Sequence, residues 1–395
     1  SKELNEARLS YMLAQTEQQR KKRKDSVLLI DDTLCEHVGS LFDYVDRHYN
    51  HANQSYPLAH NLVTAHYVSG AVRFPIDYRL YRRYEEYTDW ESYAKKHYPD
   101  EAIPKKKKDR AKFRRKIEPT LLTDSDFLKL HQSFATKIEL SVQLVETALT
   151  NNVPFDTVLF DSWYLSKDLL AVLKKHNKNW ISILKQNRVV ATQSFALKDE
   201  AGEFVQFERT KMQIKEIIPL IPASAFRPTE VDGTTYYVFT KNLSLTSLGK
   251  VRLVISFDNA ECQGNPVVLV TNCLSWNAKK IIATYLCRWP IETFYQDSKQ
   301  LLGLDEYRMR SSQAIEKHWS LSFVAYSFLH LDCLPLSNGK QNCLSLSSSL
   351  GSAVRRQQKA AIQSLILYAH HFLQAGKDIS RLFDHLFAKQ SLSFC

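Results

Sequence analysis

The hydrophobic and polar positions along the chain predict two kinds of β-strand in its first half. Residues 27–30 and 157–160 are short apolar runs that stop at aspartates, a pattern typical of strands buried on both faces. Residues 62–68 and 72–80 are rich in β-branched and aromatic side chains and predict two more strands. The second of these contains Pro75, which cannot donate a ladder hydrogen bond, so we expect it at a sheet edge or a bulge.

Helical patterns separate the later strands. Periodic apolar positions predict helices at 136–149 and 165–176, and a strand follows at 180–184. From about 190 to 272, short strand patterns alternate with glycine-containing turn signals, which indicates a β-rich segment. Helical periodicity returns at about 278 and continues, with breaks, toward the end. The order strand, strand, strand, helix, strand, helix, strand predicts a mixed α/β core.

Composition and charge narrow the class of protein. The chain has 395 residues, of which 44% are hydrophobic, enough for two or more domains with substantial cores. Its formal net charge of +11 favours a polyanionic partner, with nucleic acid ahead of an anionic membrane. No apolar run approaches the roughly 20 residues that span a bilayer. The seven cysteines form no CxxC pair, which favours reduced thiols in a cytoplasmic protein over a disulfide framework or a zinc finger.

A strongly basic stretch lies within a polar region at 84–130. Two interpretations remain open for it, a solvated loop and a loop that tracks the phosphates of a nucleic acid. The cations that would contact phosphates are Lys105, Lys106, Lys107, Lys108, Arg110, Lys112, Arg114 and Arg115.

Four polar residues share one predicted helical stripe. Tyr285, Arg288, Glu292 and Lys299 have offsets of 3, 7 and 14 positions, which fall within about 60° of one another at ~100° per residue. Pro290 is expected to start the helix or to kink it after Arg288. A neighbouring apolar stripe, expected to face the core, consists of Ile291, Phe294, Leu301 and Leu302. On the polar stripe a glutamate can bind a divalent metal ion, while the tyrosine, arginine and lysine can hold phosphates.

The two buried strands end in aspartates, at Asp32 and Asp161. Carboxylates at strand ends face the crevice in which α/β proteins bind ligands, although a single such aspartate more often caps a turn or a helix. Three carboxylates meeting around Mg²⁺ are the requirement for two-metal phosphodiester chemistry. The glutamate of the stripe would be the third.

These segments resemble bacterial insertion-sequence transposases of the DDE type. The signature Tyr-x2-Arg-x3-Glu-x6-Lys is intact within CRWPIETFYQDSKQLLG at 287–303 and the tyrosine just before it. LLIDDT at 28–33 and VLFDSWYLSKDLL at 158–170 are also close to the usual wording of that family. The resemblance extends over about 26–315, and its signature marks the group that cuts and pastes DNA through hairpin ends.

The resemblance implies a fold and a metal site. The fold is a ribonuclease-H-like mixed-sheet core interrupted by a β-rich insertion, with C-terminal helices. The implied metal ligands are Asp32, Asp161 and Glu292, which would bind Mg²⁺ or Mn²⁺. Asp31 is the alternative first ligand, because adjacent strand residues point to opposite faces and only one can serve. Asp32 is favoured, since the aspartate of the family typically precedes the threonine.

The resemblance also implies a reaction and its DNA contacts. Such transposases cut a DNA end, form a hairpin, reopen it and join the end to a target. Tyr285, Arg288 and Lys299 would handle the distorted end of the cleaved strand. Trp276 or Trp289 could stack on an extruded base, although Trp289 is also expected as a core residue. The implied partner is double-stranded DNA, bound by a homodimer in the bacterial cytoplasm near the nucleoid, without a membrane.

The predicted domain boundaries follow from these patterns. Residues 1–25 are a basic helical segment, interpreted as truncated because relatives carry a helical region there that reads the transposon end. The catalytic core comprises residues 26–189 and 273–335, interrupted by the β-rich insertion at 190–272. Residues 336–395 are a C-terminal helical region that begins with a serine-rich loop.

Other functions remain open. A ribonuclease-H-like nuclease would cut DNA without joining ends, and an inactive remnant would bind DNA without cutting it. A glycosidase could also use paired carboxylates, but it needs no basic surface. A zinc site is a minor alternative at a histidine-rich stretch whose spacing fits no standard zinc pattern. Its members are His37, His48, His51, His60 and His66.

Overall fold

A mixed β-sheet forms the centre of the fold. A computed structural model of the chain describes residues 2–21, 25–199, 201–245, 248–334 and 348–386. The strands in these ranges are β1 (Val27–His37), β2 (Asp46–Arg47), β3 (Leu58–Ser69), β4 (Val72–Tyr81), β5 (Thr157–Phe160), β6 (Asn179–Ile183), β7 (Val189–Ala191), β8 (Lys211–Gln213), β9 (Arg227–Val231), β10 (Thr234–Leu245), β11 (Gly249–Phe257) and β12 (Val267–Thr271). The helices are α1 (Lys2–Gln15), α2 (Glu17–Lys21), α3 (Tyr84–Thr88), α4 (Trp90–His97), α5 (Lys107–Leu121), α6 (Ser125–Ser133), α7 (Lys137–Thr150), α8 (Lys167–Lys175), α9 (Ile214–Ile217), α10 (Ala278–Leu286), α11 (Trp289–Leu302), α12 (Ser312–Leu331), α13 (Leu350–Gln374) and α14 (Ile379–Leu386).

The strand order is that of a mixed sheet. Of the described strands, ten form one sheet in the order β2-β3-β1-β5-β6-β12-β11-β10-β9, with β4 also paired to β3. β1 is antiparallel to β3 and parallel to β5, which in turn is parallel to β6. Beyond β6, the strands β12, β11, β10 and β9 continue the same sheet through antiparallel pairs. The arrangement is compatible with the expected ribonuclease-H-like core.

The pairing of β1 with β5 determines where the predicted carboxylates lie. The expected end of the first strand at the aspartates is wrong, because β1 continues through Asp31 and Asp32 to His37 and pairs with β3 over that length. The apolar runs of both strands are buried on both faces, as their patterns predict. Their parallel register sets Ile30 opposite Phe160. The next residue on each segment is an aspartate, so the register brings Asp31 alongside Asp161.

The side chains of Asp31 and Asp32, adjacent residues of β1, point to opposite faces of the sheet. Asp32 contacts Lys137, the first residue of α7, whereas Asp31 contacts Arg288, which directly precedes α11. Neighbouring side chains of a strand point to opposite faces. The helix α7, with α8 packed beside it, therefore lies on one face, and α11 lies on the other.

The expectation drawn from Pro75 is confirmed. Among the described strands β4 pairs only with β3, and the register of this pair shifts between Ala65 and His66, opposite Pro75. Arg8 of α1 reaches this irregularity, and its guanidinium donates to the carbonyls of Pro75 at 2.6 Å and Ile76 at 2.7 Å. Burial lowers the pKa of Arg8 to about 10. A buried cation thus ties α1 to the edge of the sheet.

A helical insert, α3 to α6, separates β4 from α7. The loop expected for the basic stretch is wrong over most of its length, because α5 begins at Lys107. The insert has its own apolar core, which consists of Trp90, Ala94, Ile117, Leu121 and Phe127.

Two arginines of α5 are part of the interior of this insert. Arg110 lies 5.3 Å from the ring of Trp90 and pairs with Glu91. Arg114 lies 4.6 Å from the ring of Tyr84 and forms an ion pair of its own within the insert. Long cationic side chains cover apolar surface with their stems and rings with their planar heads. The basic stretch therefore forms an amphipathic helix, part of whose inner face consists of arginine side chains.

The predicted polar stripe is divided between two helices. α10 ends at Leu286 and α11 begins at Trp289, with Pro290 in its first turn, the helix start that proline favours. The single continuous stripe is therefore wrong. Leu301 is 38% exposed rather than core-facing, and Trp289 is 66% exposed, so the expected core position of that tryptophan is also wrong.

The described chain separates into two compact units. The first contains the described residues up to Ser327 and with them the whole sheet, and the second contains those from Phe328 onward, including α13 and α14. The serine-rich loop predicted at the start of the C-terminal region lies mostly outside the described ranges. None of the helices in the described ranges combines the length and the apolar character needed to cross a membrane.

Arg8→Met should lower the free energy of unfolding by about 2–4 kcal/mol, because two strand carbonyls lose a buried donor. Urea denaturation followed by circular dichroism measures the change. Lys2→Met on the same helix is the matched control: that side chain is 91% exposed, and its loss should cost less than about 0.5 kcal/mol. Equal effects of the two substitutions would contradict the role given to Arg8.

Candidate active site

Three carboxylates lie in the region where β5 ends against β1. Asp161 directly follows β5, and Asp31 occupies the adjacent position on β1. Paired positions on neighbouring parallel strands point to the same face, so these two side chains share a face. Glu292 lies in the first turn of α11 and reaches the same region, because Arg288 contacts both Glu292 and Asp31.

Arg288 links two of these carboxylates. Its guanidinium donates to Asp31 Oδ2 and, at 3.0 Å, to Glu292 Oε1. The side chains of Arg288 and Asp31 are 20% and 17% exposed, so their ion pair is largely shielded from water. Burial raises the pKa of Asp31 to about 7 against the influence of Arg288, and Asp32 and Glu292 add to the shift.

Asp32, the favoured first ligand, points to the other face of the sheet. Its carboxylate accepts hydrogen bonds from Lys137 Nζ at 2.7 Å and from Tyr164 Oη at 2.8 Å. Burial and the charge of Asp32 raise the pKa of Tyr164, so the hydroxyl keeps its proton and remains a donor. Asp31, and not Asp32, shares a face with Asp161 and shares Arg288 with Glu292. Lys137 and Tyr164 could not be identified from the sequence, because their contacts with Asp32 join segments that are more than 100 residues apart.

The remaining residues of the predicted stripe flank the carboxylates. Burial raises the pKa of Tyr285 to about 12, and the nearby Asp161 and Asp31 act in the same direction. The hydroxyl therefore stays protonated at neutral pH. Lys299 Nζ donates to the carbonyl of Leu34 at 2.6 Å, three positions past Asp31 on β1. Lys299 thus lies along the strand that carries the first carboxylate.

The tryptophans near this region differ in exposure. Trp289 is 66% exposed at the start of α11, while Trp276 is half-buried with Lys280 Nζ 4.1 Å above its ring. Trp163, which the sequence analysis did not single out, is 57% exposed. Its backbone N–H donates to Asp161 Oδ1 at 2.9 Å, which fixes the loop beside that carboxylate. The sequence feature that could have identified Trp163 is its position two residues after Asp161, the aspartate that follows a buried strand.

The basic stretch divides into internal and exposed cations. Arg110 and Arg114 are engaged inside the helical insert, as described above. The other cations singled out in this stretch are exposed on α5 or just before it: Lys105, Lys106, Lys107, Lys108, Lys112 and Arg115.

The histidines do not form the zinc site considered above. His37 Nε2 and His60 Nδ1 share the hydroxyl of Tyr307, at 2.7 and 2.6 Å, and His60 Nε2 contacts the carbonyl of Asp43 at 2.8 Å. Burial lowers the pKa of His37 to about 4 and also lowers that of His60, so both rings are neutral at pH 7. They belong to an aromatic cluster that joins β1 and β3 to the segment after α11.

The chemistry of the carboxylates suits a hard divalent cation. Asp31, Asp161 and Glu292 offer only carboxylate oxygens, the ligands that Mg²⁺ and Mn²⁺ prefer. Within the described ranges, no three His, Cys, Asp or Glu side chains lie close enough to hold a metal ion as they stand. Two of the three carboxylates, Asp31 and Glu292, are instead paired with the guanidinium of Arg288. The chemistry of the donors fits a divalent cation, which would compete with this guanidinium for Asp31 and Glu292.

A comparison with protein families found a match over most of the chain. The family profile described as Transposase DDE domain matches residues 22–328, a range that includes all three carboxylates and α11. A search of curated proteins found no match.

Arg288→Ala should tighten the binding of Mg²⁺ in the absence of DNA by about tenfold, equivalent to about 1.4 kcal/mol, because a competing cation is removed. Isothermal titration at pH 8 and constant ionic strength measures the affinity. Arg310→Ala, which removes an exposed arginine, is the matched control and should leave the affinity unchanged. Weaker binding by Arg288→Ala would mean that the arginine orients the carboxylates and does not compete for them.

Proposed function

This chain belongs to the transposase DDE domain family, and we propose that it cuts the ends of a mobile DNA element and transfers the freed 3′-hydroxyl strands to target DNA. Membership makes it a transposase, an enzyme that acts on DNA. The observation that supports the finer proposal is the position of Asp31, which lies beside Asp161 in the β1–β5 register and shares Arg288 with Glu292. Clustered carboxylates are what a protein contributes to metal-assisted phosphodiester chemistry.

The proposed metal ligands are Asp31, Asp161 and Glu292, with Mg²⁺ or Mn²⁺ as the metal. Bound divalent cations would activate the attacking oxygen and stabilise the leaving oxygen of the phosphodiester. In this proposal β1 and β5 position the two aspartates, and α11 positions the glutamate. Arg288 offsets part of the negative charge of the carboxylates that it contacts.

Asp31 takes the first position in this proposal, in place of Asp32. It shares a face with Asp161, and it shares Arg288 with Glu292. On the opposite face, the carboxylate of Asp32 accepts hydrogen bonds from Lys137 of α7 and from Tyr164, which precedes α8. We assign Asp32 a positioning role, in which its hydrogen bonds hold the strand in register against both helices.

The residues around the carboxylates would hold the DNA strand. A guanidinium presents a planar fork that matches phosphate oxygens, so Arg288 can exchange its carboxylate partners for a phosphate of the cut strand. The protonated hydroxyl of Tyr285 and the ammonium of Lys299 add donors on the same side. Exposed Trp163 and Trp289, together with half-buried Trp276, offer rings on which an extruded base can stack.

The order of steps is proposed from the Tyr-Arg-Glu-Lys signature. Water attacks first, then the new 3′-hydroxyl attacks the opposite strand to form a hairpin, then water reopens it, and finally the 3′-hydroxyl attacks the target. The alternative is a nuclease that stops after the first attack. The exposed cations of α5 would supply sequence-independent affinity for double-stranded DNA. A homodimer would pair the two ends.

Asp31→Asn, Asp161→Asn and Glu292→Gln should each slow Mg²⁺-dependent cutting by at least about 100-fold, because each removes one charged metal ligand. The substrate is a labelled duplex carrying the inverted repeat that flanks the coding sequence, and denaturing gels separate nicked, hairpin and joined products. Asp32→Asn is the matched control, one position away and isosteric. It should slow cutting by less than about tenfold, because its side chain lies on the other face.

The outcomes separate the candidate functions. Hairpins and joined products support strand transfer, whereas nicks alone favour the nuclease. Binding without cutting by the unmodified protein favours a DNA-binding remnant. Loss of cutting in Asp32→Asn with retention in Asp31→Asn would reverse the assignment of the first ligand.

A further inference from the structure

A groove lined by lysines runs along α8, away from the carboxylates. It has a volume of about 550 Å³ and is bordered by α8, the start of β6 and the start of β11. Lys167 and Lys174 lie on the α8 wall with Leu170 and Ala171 between them, at spacings that place all four on one helical face. Lys250 lies on the β11 wall. We call this feature the lysine groove.

The cations of the lysine groove are available to a ligand. Lys178 serves the fold, since its Nζ donates to the carbonyl of Phe155 at 2.6 Å. None of the ion pairs between described residues involves Lys167, Lys174 or Lys250. Among the described residues that line the groove there is no carboxylate. The groove therefore presents uncompensated positive charge between two walls.

Most of the groove lies at the end of the sheet opposite the carboxylates, and α8 links the two ends. α8 begins after the loop that follows Asp161 and ends shortly before β6, so it runs from the sheet edge that carries the carboxylates to the opposite edge. Lys167 and Lys174 are separated by about 10 Å along the helix axis at 1.5 Å per residue. One DNA strand places a phosphate about every 3.4 Å along its axis, so this length matches a run of about three phosphates.

We propose that the lysine groove is a second DNA-binding surface, which holds the phosphate backbone of a duplex segment beyond the strand being cut. Cations spread along two walls fit a polyanion better than a single anion, which would need donors converging on one point. The inference rests on the proposed function in so far as DNA is the substrate. It adds a surface on the α8 face of the sheet, whereas Glu292 and Arg288 lie on the α11 face.

The test compares DNA affinity with and without the groove lysines. The triple variant Lys167→Gln, Lys174→Gln and Lys250→Gln is titrated against a labelled 40-base-pair duplex of arbitrary sequence, in EDTA, by fluorescence anisotropy. The affinity should fall by at least about tenfold at 100 mM salt. The slope of log K against log salt should become shallower by about 2–3, since each phosphate contact contributes about 0.9.

Two further proteins control for fold and for overall charge. The triple variant Lys167→Arg, Lys174→Arg and Lys250→Arg should retain the slope of the parent. A triple glutamine variant at exposed lysines outside the groove, Lys211, Lys215 and Lys317, should lose less affinity than the groove variant and keep the slope within about 1. Circular dichroism and melting temperature verify that all variants are folded.

The results distinguish this inference from the proposed function. A groove variant with the slope and affinity of the parent, or one matched by the control variant, overturns the lysine groove as a DNA surface. Because binding is measured in EDTA, that result leaves cutting at the carboxylates untouched. Conversely, a parent protein that binds DNA through the groove but cuts nothing supports the inference while contradicting the proposed reaction.

Discussion

The register between β1 and β5 is the constraint on which the candidate site depends. The side chains of a strand alternate between faces, so a slip of one residue would exchange Asp31 for Asp32 beside Asp161. Apolar runs that are buried on both faces hold this register, and β3 fixes β1 from its other side along its full length. The position of the first carboxylate is therefore a property of the whole core and not of the motif alone.

Adjacent aspartates at the end of a buried run require charge compensation on both faces, and the structure supplies it from different helices. Asp31 pairs with Arg288 at the start of α11, and Asp32 pairs with Lys137 at the start of α7. The two ion pairs differ in their surroundings. Arg288 also serves Glu292, in a cluster where burial still raises the pKa of Asp31. A buried carboxyl with a pKa shifted in this way is typical of functional sites, whereas the hydrogen bonds of Asp32 serve the architecture.

Much of the core could be predicted from sequence, because buried strands and their order leave strong local patterns. The edge position of Pro75 followed from its missing donor. The choice between Asp31 and Asp32 could not be made from the motif, because both follow the same apolar run and only their partners on the two faces of the sheet distinguish them. The break between α10 and α11 was equally hidden, because Pro290 is compatible with either a start or a kink.

The helical insert and the lysine groove were missed for a physical reason of a different kind. The amphipathic pattern of α5 is carried by arginine stems that pack on Trp90 and Tyr84, so a reading of apolar positions alone does not detect it. The groove combines lysines from α8 with one from β11, which come together only in the folded sheet.

The distribution of cation types follows from their chemistry. Arg8 and Arg288, together with the two internal arginines of α5, contact carbonyls, carboxylates or rings inside the fold, where a planar fork can satisfy several partners at once. The cations of the exposed face of α5 and of the groove are almost all lysines, whose mobile, hydrated ammonium groups suit phosphates that shift along a duplex. The net charge of +11 therefore includes both cations that stabilise the fold and exposed cations that are free to bind DNA. The exposed cations are expected to respond most to salt, because buried pairs are screened far less than exposed ones.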